Sequence, residues 1–140
     1  MSDVATALRG LIVNGMLLPE NVVAAAAHPD SPLHSHFEWD DSEAAIQWRL
    51  TQARRLIRSV VIEHGENTTT EIRAYVSLPA DRASGVGYRT IEEVMSSDFL
   101  RQQLMAEILE KIEMWEKKAE ALGMKINFKS VRQQVKKRAG

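Results

Sequence analysis

Four side chains with metal-binding or proton-transfer chemistry alternate along one short run: His34, His36, Glu38 and Asp40. In an extended chain a period of two would point all four to one side, and Phe37 and Trp39 to the other. Imidazole and carboxylate together can hold a divalent ion, and such an ion would support metal-assisted hydrolysis. No second ligand cluster or recognised metal motif accompanies them, so no metal is assigned. The plainer reading has Phe37 and Trp39 anchoring the segment to the core while the polar residues face water.

A second set has the chemistry of polyanion binding. Gln47, Thr51, Arg54, Arg55 and Arg58 fall on one side of a stretch whose apolar residues recur at helical spacing. Those apolar residues are Ile46, Leu50, Ala53, Ile57 and Val60, with Ala45, Trp48 and Leu56 widening the stripe. Arginine, glutamine and threonine are side chains that contact phosphates and base edges. The same arginines suit a solvated outer face paired with nearby carboxylates.

The third set is C-terminal. Residues 124–140 carry Lys125, Lys129, Arg132, Lys136, Lys137 and Arg138 and no acid. Residues 92–123, just before them, hold eight acids against four cations. A basic tail after an acidic helix suits a polyanion partner, and equally a solubilising or disordered tail.

These sets must be positioned by helices and a hairpin. Ser2 caps a first helix over residues 3–13, and Gly15 suits the left-handed position after its end. Pro19 and Glu20 open a second helix over residues 19–27, and Pro29 and Pro32 end it. Asp40 and Glu43 form a capping box for the central helix, residues 41–59. Alternation then replaces helical spacing. Residues 60–64 and 68–78 read as two strands joined at residues 65–67, and Pro79 closes the second. In that second strand Ile72, Ala74, Val76 and Leu78 share one face, with Glu71, Arg73, Tyr75 and Ser77 opposite. Residues 81–87, DRASGVG, read as a loop without the dinucleotide or P-loop pattern, so no cofactor is assigned. Thr90 and Glu93 cap a short helix over residues 91–95, and Ser97 and Asp98 start a long one that Gly123 stops. In the long helix Leu104, Ile108, Ile112, Trp115, Ala119 and Leu122 form a stripe, extended by Leu100, Met105 and Leu109. Glutamates and lysines flank it as in a helical pair, so a homodimer or higher homo-oligomer through this helix is expected.

The expected fold is α+β and mainly helical: N-terminal helices, a long central helix, a β-hairpin and a long C-terminal helix. One domain over residues 1–123 would precede a basic tail over residues 124–140. The chain has 140 residues, 44% of them hydrophobic and 26% charged, which is the composition of an ordinary soluble domain. It has no cysteine, which excludes disulfides and thiolate metal sites. No apolar run is long enough to span a bilayer, and MSDVATALRG lacks the features of a signal peptide. A cytoplasmic location is expected.

Several motifs occur together: LPENVV, SPLHSHFEWDDSEAA, QARRLIR, and RAYVSLPADR followed by GYRTIEEV. The set resembles a family of small hypothetical proteins of tailed phages and prophages. The resemblance covers residues 18–94, with FEWDD and QARxLI its most specific elements. It implies a viral or prophage origin, in the cytoplasm of a bacterial host, and carries no mechanism or site residues.

The helix–helix–helix–hairpin order of residues 1–78 is also that of a winged helix-turn-helix domain, with residues 65–69 as the wing tip. The long linker, residues 29–40, and the acids Glu38, Asp40, Asp41 and Glu43 at the start of the central helix argue against that specific form. A looser reading is non-catalytic nucleic-acid binding by an oligomer. Gln47, Thr51, Arg54, Arg55 and Arg58 would act with Lys129, Arg132, Lys136, Lys137 and Arg138. The alternative is a protein-interaction module, either an assembly factor or an inhibitor of a host protein. No nucleophile arrangement or cofactor loop marks the chain as an enzyme.

Overall fold

The computed structural model describes residues 2–39, 42–64 and 70–139. Among them seven α-helices and five short strands give the mainly helical α+β class expected. The chain divides into two units, residues 1–93 and 94–140, so the division falls within a short helix rather than after Gly123.

In the first unit Ser2 caps α1 (Asp3–Gly10), its Oγ accepting from the Ala5 amide at 3.1 Å. The helix is shorter than expected because Asn14 and Gly15 both adopt positive φ, 50° and 75°. They form a tight turn between Val13 and Met16, whose amides and carbonyls exchange hydrogen bonds at 2.9 Å. Asn-Gly suits such a turn because both positions need left-handed backbone. The turn leads into β1 (Met16–Leu17) and then α2 (Pro19–Ala26), which begins with proline at its first position as expected.

The central helix α3 is Glu43–Ser59, and its cap is Ser42, whose Oγ accepts from the Ala45 amide at 3.3 Å. Asp40, the expected cap, lies outside the described residues. Ala53 and Ile57 of α3 are fully buried and α2 packs on this helix, whereas Ile46, placed by its spacing on the apolar stripe, is exposed. The core also gathers Leu8, Leu17, Val22, Leu33 and Phe37.

The expected long second strand is broken. β2 (Val61–His64) pairs antiparallel with β3 (Thr70–Arg73), Ile62 opposite Ile72. At Ala74 the chain changes sheets: its amide donates to the Val60 carbonyl and its carbonyl accepts from the Ile91 amide, both at 2.9 Å. The next residues, β4 (Tyr75–Val76), pair with β5 (Tyr88–Thr90), which pairs on its other edge with β1. Ala74 and Tyr75 are therefore both buried, 7% and 4% exposed, where simple alternation would put them on opposite faces.

Burial pushes the Tyr75 hydroxyl above its ordinary pKa of 10.0; nearby Glu92 adds to the shift and Arg9 opposes it. The neutral phenol is thus favoured in the folded chain. Its contribution is fully present below pH 10.0 and declines as the pH rises toward the folded-state pKa. Thermal melts at about pH 9 and about pH 11 should show a smaller alkaline loss of Tm in Tyr75→Phe than in the parent. Equal losses would contradict this assignment.

Residues 81–84, the start of the expected loop at 81–87, belong to the helix α4 (Pro79–Ser84), which Gly85 ends. Asp81, 4% exposed, explains it. One carboxylate oxygen accepts from the Leu78 amide at 3.3 Å, and both accept from the Arg89 guanidinium of β5 at 2.9 Å. The bond to Asp81 raises the Arg89 pKa further above its ordinary value. Gly87 lies between them with φ of 104°, and a Cβ there would sit 2.6 Å from the Leu17 carbonyl oxygen. This close approach lets β5 lie against β1. Thr90 then opens α5 (Ile91–Ser96), its Oγ1 accepting from the Glu93 amide at 3.2 Å.

The second unit is a helical hairpin. Ser97 caps α6 (Asp98–Ala121), accepting from the Leu100 amide at 3.3 Å. A Schellman motif closes it at Gly123: the Met124 amide donates to Ala119 and the Gly123 amide to Glu120, both at 2.9 Å. Residues 129–139, within the expected tail, form α7 (Lys129–Ala139), which packs on α6. Ile112 and Ala119 of α6 and Val135 of α7 are buried. No helix among the described residues is long and apolar enough to cross a membrane.

Candidate nucleic-acid interface

At 3.6 residues per turn, Gln47, Thr51, Arg54, Arg55 and Arg58 span an arc of about 100° on α3, opposite the buried residues. All are exposed except Thr51, which is half-buried and donates its hydroxyl to the Gln47 carbonyl at 3.2 Å. The Arg58 Nε donates to the Arg54 carbonyl at 3.2 Å. Arg55 lies 4.9 Å over the ring of Trp48. Trp48 therefore supports the cationic face rather than the core, and its seven-residue spacing from Arg55 was the available signal.

Among the described residues no carboxylate pairs with Arg54, Arg55 or Arg58. Three like charges at spacings of three and four repel one another on a helix, by a few tenths of a kcal/mol per pair. An anion at this face would relieve that repulsion. The first unit is otherwise acidic: it has thirteen acids against eight arginines and no lysine. Four of those arginines sit on α3, so the positive charge is local to it.

The segment before α3 is held to the helix by structure. His34–His36 is a 3₁₀ turn, not an extended run, so the expected alternation fails. His34 stacks on Trp39 with centroids 4.9 Å apart, and its Nδ1 donates to the Ala26 carbonyl at 2.8 Å. Trp39 in turn donates its indole N–H to the His34 carbonyl at 3.0 Å and carries Arg49 over its ring at 5.2 Å. The Glu38 amide donates to Gln52 Oε1 at 3.3 Å. Asp40 lies outside the described residues, and among those described no three His, Asp or Glu converge on a metal-sized site. Beside the arginine face His36, Gln52, Arg55, Leu56 and Ser59 line a shallow depression of about 280 Å³.

The C-terminal candidates separate by role once α7 is a helix. Arg132 bonds Glu116 Oε2 of α6. Arg138 lines a groove between α6 and α7. Lys129, Lys136 and Lys137 remain exposed, within an arc of about 100°. Comparison with family models, curated proteins and solved structures finds no significant match. The β2–β3 pair follows α3 where a wing would, and its tip, residues 65–69, lies outside the described residues.

Proposed function

We propose that the chain is a phage or prophage accessory protein that binds nucleic acid without catalysis, with the outward face of α3 on the phosphate backbone. The observation that carries the reading is the stripe of Arg54, Arg55 and Arg58, exposed and without a carboxylate partner among the described residues. Gln47 and Thr51 on the same arc add hydrogen-bonding groups, and Trp48 under Arg55 adds a ring for stacking. Lys129, Lys136 and Lys137 of α7 supply a second, less specific electrostatic contribution. The phage assignment rests on the sequence motifs.

The lysine contribution is tested by Lys129→Glu, Lys136→Glu and Lys137→Glu together. These exposed positions can change charge while Arg132–Glu116 and the buried Val135 stay intact. Affinity for a fluorescein-labelled mixed-sequence duplex should fall by roughly tenfold, with a shallower salt dependence. Unchanged affinity would confine the interface to α3.

A second reading, a protein-interaction module, is favoured by the apolar groove of the hairpin.

A further inference from the structure

The hairpin of the second unit leaves an apolar groove unfilled. Leu104, Met105 and Ile108 of α6 face Val131 and Val135 of α7 across an open cavity of about 700 Å³. The groove borders an exposed line along α6. Ile108, Trp115 and Leu122, spaced by seven, are 39%, 52% and 78% exposed. Residues seven apart lie nearly above one another on a helix, so the three form one continuous strip. Burial of Ile112 and Ala119 uses the neighbouring part of the stripe and leaves this part bare.

The charges around the groove restrict its occupant. Among the described residues only two charged side chains line it, Arg101 and Arg138. Arg101 already meets Asp98 at 2.6 Å, whereas no described carboxylate pairs with Arg138. Lys111 and Lys118 flank the exposed strip, and Lys111 reaches Glu107 at 3.2 Å. A second copy laid along the strip would bring Lys111 and Lys118 against their counterparts, and like charges across an interface disfavour pairing. The second unit's six acids all lie on α6 and six of its ten lysines and arginines follow that helix, so the positive excess is on the α7 side of the groove. A negatively charged helix seated toward α7 meets that excess favourably.

We infer that this groove docks an amphipathic helix of a second protein, with apolar residues at i, i+3, i+4 and i+7 in the groove and a carboxylate on Arg138. This is the helix-in-groove mode of recognition, with affinity from the apolar anchors and orientation from the charge. It uses a surface separate from the arginine face of α3, so either can fail alone.

The experiment uses the full chain and two fluorescein-labelled synthetic helical peptides. Both carry leucines at the four anchor spacings; one has glutamates at the remaining positions and the other lysines. The acidic peptide should bind saturably and the lysine twin at least about tenfold more weakly. Arg138→Glu should narrow or reverse that preference. Val131→Glu, at a position 40% exposed, should abolish acidic-peptide binding without altering the circular dichroism. In the Arg54→Glu, Arg58→Glu background, Val131→Glu should still abolish saturable acidic-peptide binding, which separates the groove from the arginine face. Equal affinity for the two peptides, or binding of neither, would overturn the inference. So would a sedimenting dimer that Val131→Glu dissociates, because a second copy would then fill the groove.

Discussion

Arg54→Glu combined with Arg58→Glu should lower affinity for mixed-sequence DNA by on the order of a hundredfold or more and leave the fold intact. Each substitution removes a charge-assisted contact to phosphate, and two such losses multiply to roughly that factor. The reversed charges also set carboxylates on the arc that would face the backbone. Both side chains are exposed, and their one mutual bond, Arg58 Nε to the Arg54 carbonyl, contributes little to α3. Relieving the like-charge repulsion among three arginines offsets part of that loss. Anisotropy titrations measure the affinity, and circular dichroism and Tm establish the fold. Retained affinity with an unchanged spectrum would remove α3 from the interface.

Asp81→Ala is the most damaging single change expected for the first unit. The carboxylate is nearly inaccessible, and it holds two guanidinium nitrogens of Arg89 and the Leu78 amide. Its loss strips β5 of its link to α4 and strands a largely buried guanidinium. Breaking one side of a buried pair destabilises by about 3 kcal/mol or more, the lower figure applying here because the Arg89 side chain is 24% exposed. At about 4–8 °C per kcal/mol for a unit of this size, Tm should fall by more than about 10 °C. Asp81→Leu with Arg89→Leu should recover part of that loss, since no charge is then left unpaired. A Tm within about 3 °C of the parent in Asp81→Ala would show that water replaces the pair at little cost.

Much of the helical frame is legible in the sequence because its signals are local. Ser2, Thr90, Ser97 and Gly123 each start or stop a helix through bonds to residues within a turn, and Pro19 opens one through its fixed φ. The arc of Gln47, Thr51, Arg54, Arg55 and Arg58 follows from helical spacing alone. Elements set by distant contacts are not legible. DRASGVG has loop composition, yet Asp81 finds Arg89 eight residues on and a helix forms. The run through Ala74 alternates in type, but both Ala74 and Tyr75 are buried because the chain passes between two sheets there. α7 offers only Val131, Val135 and Ala139 as apolar residues and reads as a solvated tail until α6 is placed beside it. His34 looks like a ligand in sequence and is occupied by Trp39 and the Ala26 carbonyl. Gly15 fits a helix stop on its own, and only together with Asn14 is it a hairpin dipeptide between Val13 and Met16.

If α3 meets a polyanion through Arg54, Arg55 and Arg58, DNA binding must weaken steeply with salt. A fluorescein-labelled mixed-sequence duplex is titrated at sodium chloride concentrations from about 50 to about 200 mM. Three phosphate contacts predict a slope of about −3 or steeper for log affinity against log salt, made shallower by about two in Arg54→Glu with Arg58→Glu. No saturable binding at the lowest salt, or a slope that the double substitution does not change, would contradict the account.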